Sequence, residues 1–459
     1  MSCLVSRPSR ALLLCAGALL SGCAQLPADG GIGPVQQIAN QRLGQPTAWN
    51  RNAENSQRSD TQIAALLDDG HGNRRLSNAG DAVQIALLNN PELQSAFAEL
   101  GMAEADLVQA GRLPNPGFSF ARSHAGDDIK IERGISLALM QWLSMPVTAR
   151  IAQRGLEQSR LLAARHLLKV AAQTRQAFYR ALAAQQMLAY QEQVRQAAEA
   201  AHLLAARMAE RGNSSRLDAA REQLFYADAQ TRLLRARREA AQAHEALARW
   251  LGLAPGFSLP ARLPDLPAQL APVADIERQA MAQRLDVQAA RSELAGLQDS
   301  LGLTRSTRFV NVLDLGYQRT TESGRAPEIG YQVSVEIPLF DWGQARVAKA
   351  EAIYLQGAQR LAATALDARA QARLAWRERD DAFALARRYQ QQILPLRRRV
   401  ADENLLRYNG MLISVFDLLA DAREQANTVI AAIEAERDFW IADAALQLAL
   451  DGPPQGTQP

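Results

Sequence analysis

An internal repeat constrains the fold of this chain more than any single motif does. The two halves align at an offset of about 200 residues. The alignment pairs Gly212 with Gly410 and Asp218 with Asp417, and the tripeptide Arg-Glu-Gln recurs at 221–223 and 423–425. Because a repeat of this length indicates two copies of one structural unit, local predictions should agree between the halves.

Hydropathy predicts the same first elements in both halves. Apolar residues recur with helical spacing in 81–111 and 274–302. Alternating apolar and polar residues then predict β-hairpins within 117–140 and 310–337, each with a polar turn. Each half therefore begins with a helix followed by a hairpin.

Long helical segments follow both hairpins. The first runs from Leu143 to about Arg211, a length of roughly 100 Å. The second ends near Tyr408, and Pro395 within it predicts a kink or a break. A tight turn and a return helix complete each half, and the abundance of alanine favours closely packed helices.

The N-terminus has the pattern of a bacterial lipoprotein signal. Arg7 and Arg10 precede an apolar run over 11–20, which ends in Leu-Ser-Gly and then Cys23. This pattern predicts cleavage before Cys23 and acylation of its thiol, and Ala24 favours transfer to the outer membrane. An ordinary cleaved signal, with Cys23 as a bystander, is the alternative.

Composition excludes several functional classes. Cys3, Cys15 and Cys23 leave no thiol for a disulfide or a metal site once the signal is processed. Lys and Arg number 51 against 48 Asp and Glu, without a basic block, so we expect no nucleic acid partner. The histidines have no metal-ligand spacing, and no catalytic motif is present, so we predict neither an enzyme nor a cofactor.

These patterns divide the chain into six segments. The predicted segments are a lipoprotein signal peptide (1–22), a lipid-anchored, extended N-terminal tether (23–76), a first repeat (77–252), a Pro-rich linker (253–272), a second repeat (273–452) and a flexible tail (453–459).

The predicted elements favour a trimer. Four strands per chain cannot close a transmembrane barrel, whereas three copies would supply twelve strands. The helices far exceed a membrane in length, so they should stand in an aqueous compartment. Twelve helices from three copies would form a second tube coaxial with the first, and the product would be a conduit.

Three ordered motifs resemble TolC-type outer-membrane efflux channels of the lipid-anchored branch. They are Asn89–Leu93 leading to Pro114–Pro116, Ile337–Gly343 leading to Ala345–Arg346, and Tyr408–Gly410 followed by Ser414 and Asp417–Leu419. The resemblance covers residues 60–452. It implies a mainly α-helical α+β fold, a homotrimer with a 12-stranded barrel in outer-membrane lipid and a periplasmic helical barrel. It also implies a periplasmic membrane-fusion adaptor and an inner-membrane pump as partners.

The resemblance also implies a gate at the periplasmic tip. Acidic residues at the position of Asp417 ring the narrow end of the tunnel in this family, and three facing carboxylates would repel one another and attract cations. Tyr408 matches a position whose hydroxyl ties neighbouring helices together. Ala420 replaces a second ring carboxylate, with Asp421 beside it, and Ile413 replaces the expected basic partner. A solvated or N-capping role is the alternative for Asp417.

The two hairpin tips are the predicted adaptor-docking sites. They comprise Gly212 with Asn213 and Gly410 with Met411. A turn glycine also supplies a left-handed backbone, which we expect at both Gly212 and Gly410.

Two tryptophans follow the hairpins. Trp142 and Trp342 suit the periplasmic-side aromatic belt of a barrel. Packing at the junction between strand and helix is the alternative for both.

Two functional hypotheses remain open from sequence. The first is a passive duct of a tripartite efflux or export system, and the second is a lipid-anchored periplasmic coiled-coil scaffold without a pore. The alternating strand pairs favour the duct. The exported substrate is open, because a duct recognises little of its cargo.

Overall fold

Long helices make up most of the protein, and a four-stranded sheet accompanies them. The computed structural model describes residues 27, 29–68, 70–271, 273, 275–310 and 312–452. The helices are α1 (Gly33–Leu43), α2 (Ala53–Leu67), α3 (Ala79–Asn89), α4 (Pro91–Ala110), α5 (Leu139–Glu210), α6 (Arg216–Leu251), α7 (Ile276–Gln283), α8 (Leu285–Ser306), α9 (Gln344–Arg388), α10 (Leu394–Asn409) and α11 (Val415–Ala449). The strands are β1 (Gly117–Ala125), β2 (Asp128–Ala138), β3 (Leu313–Glu322) and β4 (Glu328–Val335). The protein is thus helix-rich, as predicted.

The chain divides into two units. The sheet unit comprises Ala98–Arg160 and Gln288–Ala362 together with the chain up to Gly33. The helical unit comprises Pro34–Phe97, Leu161–Val287 and Ala363–Pro459. All four strands belong to the sheet unit, and both helix-to-helix turns belong to the helical unit.

The four strands form one antiparallel sheet in the order β1-β2-β3-β4. The register places Ile135 opposite Phe118 on one side and Tyr317 on the other, and Tyr317 pairs in turn with Tyr331. Because side chains alternate between faces along a strand, these four residues lie on the same face. Register and sequence pattern therefore agree across all four strands.

Alanine allows close helix packing in the helical unit. One buried cluster joins Ala372 and Ala375 of α9 to Leu446 of α11, and a second joins Phe383 to Phe439. The rings of Phe383 and Phe439 lie 5.4 Å apart. Small side chains let the helix backbones approach, while the aromatic pairs fill the wider gaps.

A buried arginine anchors the start of α8. Arg284 is buried, and its guanidinium donates to both carboxylate oxygens of Asp286 at 3.0 and 2.7 Å. Asp286 also pairs with Arg165 of α5. Asp451 accepts a hydrogen bond from the Leu285 backbone N–H at 2.7 Å. These charged contacts join α5, α8 and the segment after α11, which are distant in sequence.

Residues 29–68 are folded, which corrects the expectation of an extended tether. They contain α1 and α2, and the loop between them bonds to α3. Thr47 Oγ1 donates to the Leu87 carbonyl at 3.0 Å, and Asn50 Nδ2 donates to the Leu88 carbonyl at 2.9 Å. The sequence indicates a short helix around 59–67, which α2 contains. The contacts with α3 were not predicted, because weak local periodicity gives no sign of contacts with a helix further along the chain.

Residues 252–271, after α6, form neither a helix nor a strand but pack against the helices. Leu263 N–H donates to Gln186 at 3.0 Å, and Trp440 Nε1 donates to the Pro264 carbonyl at 3.2 Å. His244 stacks on Phe257 at 4.5 Å. Hydrogen bonds to its backbone hold this Pro-rich segment in place, because prolines prevent it from joining a helix.

The break predicted at Pro395 takes the form of a π-helical turn. Residues Tyr389–Ile393 separate α9 from α10, and the Leu394 N–H donates to the Tyr389 carbonyl. Pro395 lacks an N–H and its ring would clash in a regular helix. A single wide turn accommodates both effects without ending the helical path.

Candidate functional site

The hairpin tips share one backbone pattern. After α5, Asn213 N–H donates to the Met208 carbonyl at 2.8 Å, and after α10, Leu412 N–H donates to the Arg407 carbonyl at 2.9 Å. These are the bonds of a Schellman motif, in which the residue before the donor has a left-handed backbone. Gly212 has φ of 74° and occupies this place in the first tip.

Met411, not Gly410, is the left-handed residue of the second tip. Met411 has φ of 57°, whereas Gly410 has φ of −80°. The prediction of a left-handed Gly410 is therefore wrong, because the hydrogen-bonded pattern begins one residue later than the glycine suggested. The Met411 side chain is 93% exposed at this tip.

A serine N-cap starts the return helix of each hairpin. Ser215 Oγ accepts from the Asp218 N–H at 3.1 Å, and Ser414 Oγ accepts from the Asp417 N–H at 3.2 Å. Asp417 also accepts from the Ser414 N–H at 3.0 Å, which completes a capping box. Hydrogen bonds from the Ser414 hydroxyl and backbone N–H lower the pKa of the exposed Asp417 carboxyl.

Asp421 lies one turn after Asp417 and is paired. Arg397 of α10 contacts Asp421 at 3.3 Å and Glu424 at 3.6 Å, and the Asp421 side chain is only 10% exposed. This ion pair joins the two helices of the second hairpin. Of the two carboxylates predicted for the gate, Asp417 is exposed and Asp421 is neutralised by Arg397.

Tyr408 occupies the last turn of α10. Its ring is 38% exposed, and within the part of the chain that the structure describes its hydroxyl has no hydrogen-bond partner. The predicted tie to a neighbouring helix is therefore not made within one protomer.

A second ion pair joins the two hairpins. Arg423 of α11 bonds Glu222 of α6, and its guanidinium also lies over the Phe225 ring at 4.5 Å. The Glu222 side chain is 4% exposed. Sequence reasoning named 221–223 and 423–425 only as repeat markers and missed this contact.

The sheet has one apolar and one polar face. The apolar face carries exposed side chains from every strand, including Phe118, Ile135, Tyr317, Val333 and Tyr331, the last 81% exposed. The opposite face carries small or polar residues, which include Ser119, Gly134, Gln318 and Gln332. Large apolar patches exposed in this way mark interaction or membrane surfaces.

Solved structures of bacterial channels share this fold. The chain is 18% identical to the CmeC outer membrane channel of Campylobacter jejuni over 83% of this chain and 87% of that one, with a TM-score of 0.68. It is 16% identical to the outer membrane protein VceC of Vibrio cholerae over 82% and 97%, with a TM-score of 0.69. For the open-state MtrE outer membrane channel of Neisseria gonorrhoeae, the identity is 19% over 83% and 91%, with a TM-score of 0.69.

The chain has the TolC-type outer-membrane channel fold. Its identity to these structures is below one fifth, so the likeness concerns the backbone arrangement. No protein-family model matches the sequence, and a search of curated proteins found no match.

The predicted aromatic-belt residues are both accessible in this TolC-type fold. Trp142 lies in the first turn of α5, and Trp342 lies just before α9. Both side chains are exposed, and Trp342 meets Phe309 edge to face at 6.4 Å. Trp342 thus packs at the junction between strand and helix, as the alternative interpretation predicts, while its indole remains partly exposed.

The predicted lipidation site, Cys23, and the signal peptide lie outside the described residues. Among the helices of the described chain, none is long and apolar enough to cross a membrane. A search of the same residues for clusters of three or more potential metal ligands found none.

Arg397 and Arg423 are the tip residues that the sequence reasoning missed. Arg397 and Asp421 lie at nearly equal separations from the turn at Gly410. Residues equidistant from a turn lie side by side in an antiparallel helix pair, so this ion pair could have been predicted from the sequence. The Arg423–Glu222 contact had no such signal, because its partners belong to different hairpins.

Proposed function

We propose that the protein is a passive outer-membrane duct of a tripartite efflux or export system. The observation that carries the proposal is the apolar face of the sheet. Phe118, Tyr331 and Val333 are each more than 60% exposed in a single chain. Exposure of this apolar surface to water is unfavourable, so we expect another molecule to cover it. Lipid is a suitable cover, because the opposite face is polar and could line an aqueous lumen.

Closure of the sheet requires further copies of the chain. Among the described strands, β1 and β4 each pair on one side only. Unpaired backbone groups are costly in lipid, so the edges must meet other strands. Three copies would join β4 of one protomer to β1 of the next and give a closed barrel of twelve strands.

The helical hairpins would extend the duct into the periplasm. Helix α5 has 72 residues, a length of roughly 110 Å that far exceeds a bilayer. Twelve helices from three copies would continue the barrel as a tube. The trimer would be lipid-anchored at Cys23, with Trp142 and Trp342 at the periplasmic-side membrane surface.

The tip would hold the gate and the docking site. Three Asp417 carboxylates around one axis would attract cations and narrow the exit, and Tyr408 would reach a neighbouring protomer. Asp421 would contribute less charge than an unpaired carboxylate, because Arg397 neutralises it. The exposed tips at Gly212–Asn213 and Gly410–Met411 would meet a periplasmic adaptor, with an inner-membrane pump beyond it.

The test is channel recording of the full-length protein in planar bilayers. We expect a trimer by native mass spectrometry and a small, cation-selective conductance. Asp417→Ala should raise the conductance, whereas Asp218→Ala, with the corresponding cap in the first hairpin, serves as the matched control. An unchanged conductance in Asp417→Ala would reject the gating role. Absence of any conductance from a verified trimer would favour the lipid-anchored scaffold instead.

A further inference from the structure

Three arginines lie on the apolar face of the sheet. Arg122 belongs to β1, Arg133 to β2 and Arg319 to β3, and all three are exposed. The register pairs Arg133 directly with Arg319. Arg122 pairs with Ile131 and is therefore the diagonal neighbour of Arg133. We refer to Arg122, Arg133 and Arg319 as the arginine cluster.

The arginine cluster has no anionic partner among the residues that the structure describes. Like charges directly opposite each other destabilise a sheet. Within the described residues, none of the three guanidinium groups has a carboxylate within 4.0 Å. The carboxylates of the strands lie on the opposite, polar face, at Asp128, Glu132, Asp314, Glu322 and Glu328. Their position follows from the alternation of side chains along each strand.

The cluster lies in the turn half of the apolar face, where Arg122 occupies the second row from the turns and the Arg133–Arg319 pair occupies the third. Toward the other end of the strands the same face continues with the paired residues Leu137, Leu315 and Val333. An arginine facing lipid is costly at the centre of a bilayer but nearly free of cost at its surface. If the sheet forms the proposed barrel, the cluster therefore marks the membrane surface on the side of the strand turns.

We propose that the arginine cluster binds the phosphate groups of an anionic lipid at this surface. The inference rests on the proposed function. Arg133 and Arg319 have Cβ atoms about 5 Å apart, close enough for both guanidinium groups to contact one phosphate. Guanidinium binds phosphate through paired, charge-assisted hydrogen bonds.

The residues around the cluster suit the rest of such a lipid. Phe120 of β1 pairs with Arg133, and Phe118, also of β1, lies one row further from the turn. Both rings are exposed, at 57% and 72%. An acyl chain that descends from a bound phosphate would run along these rings, so apolar and ionic contacts would act on one lipid molecule.

The test compares binding of a phosphorylated and a dephosphorylated lipid. Purified full-length protein in detergent is titrated with lipid A that carries two phosphates and with its dephosphorylated form. Each arginine near an anionic lipid surface contributes about a fivefold increase in affinity, so the preference lost in Arg133→Gln/Arg319→Gln should be about 30-fold. Arg122→Gln should lose less, because its guanidinium lies further from the facing pair.

The matched control removes the same charge elsewhere. Lys130→Gln/Arg325→Gln takes away two positive charges from the polar face and the turn, and should keep the preference. Inorganic phosphate at the same concentration should not displace the lipid. Equal binding of the two lipid forms by the wild type, an unchanged preference in Arg133→Gln/Arg319→Gln, or full displacement by inorganic phosphate would each overturn the inference.

A separate readout keeps this test apart from the proposed function. Planar bilayers of phosphatidylcholine alone contain no phosphorylated glycolipid, yet a duct should conduct in them. A wild-type protein that conducts there without any lipid preference would overturn the lipid site and leave the duct intact. A protein that neither conducts nor takes up detergent would overturn the duct, and the lipid site with it.

Discussion

Removal of Arg423 should weaken the connection between the two helical hairpins. Arg423 is the bonded partner of Glu222, whose side chain is 4% exposed, while that of Arg423 is 28% exposed. The second carboxylate oxygen of Glu222 and the Nε of Arg423 have no hydrogen-bond partner in the described structure. The pair is therefore held by a single contact, and Arg423→Met would leave a buried carboxylate without any.

The magnitude follows from this burial. Breaking a buried ion pair by removing one partner costs about 3–5 kcal/mol of folding free energy, and the partial exposure of Arg423 favours the lower value. Replacement of both partners is different. Glu222→Leu/Arg423→Met leaves no unpaired charge, and such replacements are neutral or stabilising by about 1–4 kcal/mol.

Thermal unfolding measures both effects. Arg423→Met should lower the Tm by roughly 5 °C, because a loss of about 3 kcal/mol is set against an unfolding entropy of about 2.1 cal/mol/K per residue over the helical unit. The double variant should recover most of the loss. Arg221→Met is the matched control, because its contact with Asp218 is 3.5 Å long and its side chain is 65% exposed. Equal Tm values for Arg423→Met and Arg221→Met, or no recovery in the double variant, would refute the reasoning.

Four further variants test the tips and the core of the helical unit. Gly212→Ala should lower the free energy of unfolding by about 1 kcal/mol, because alanine is strained at φ of 74°. Met411→Gly should raise it by a similar amount, because glycine relieves the strain at φ of 57°. Denaturant titration measures both changes. Ser414→Ala should lower the Tm at neutral pH. Because folding lowers the pKa of Asp417, its capping contribution is present above the unfolded pKa of about 3.9 and is lost as pH falls through the folded value, so the difference from wild type should shrink in acid. Arg284→Met should cost about 1.5–3 kcal/mol, because Asp286 loses its charge-assisted hydrogen bonds to Arg284 but keeps its ion pair with Arg165. An unchanged denaturation midpoint would contradict this.

Local periodicity carried most of the information about the elements. The alternation in 117–140 and 310–337 reflects a sheet with one apolar face, and the structure has strands within both ranges. Such patterns can be read from sequence because each side chain meets a different environment on the two faces of a strand. The same holds for the helices, and Pro395 indicated the interruption that became a π-helical turn.

The sequence predicted the conformation of the candidate-site residues only in part. Ser414 and Asp417 form a cap over three residues, so the local sequence suffices to identify the capping alternative. The prediction based on Gly410 placed the left-handed residue one position too early, since Met411 has that conformation. The hydrogen-bond pattern at the end of the helix, rather than the residue type, decides which residue adopts it. Whether Asp417 also faces a pore remains a prediction of the trimer.

The sequence by itself determined the helices of the two repeats, the strands and the two faces of the sheet. Each depends on residues close together in the chain, and each leaves a periodic or positional signal. Only the tertiary structure decided the pairing of Arg423 with Glu222, the packing of residues 47–50 onto α3, and the direct opposition of Arg133 and Arg319. These contacts join residues far apart in sequence, so they follow from packing and strand register, which no local pattern encodes.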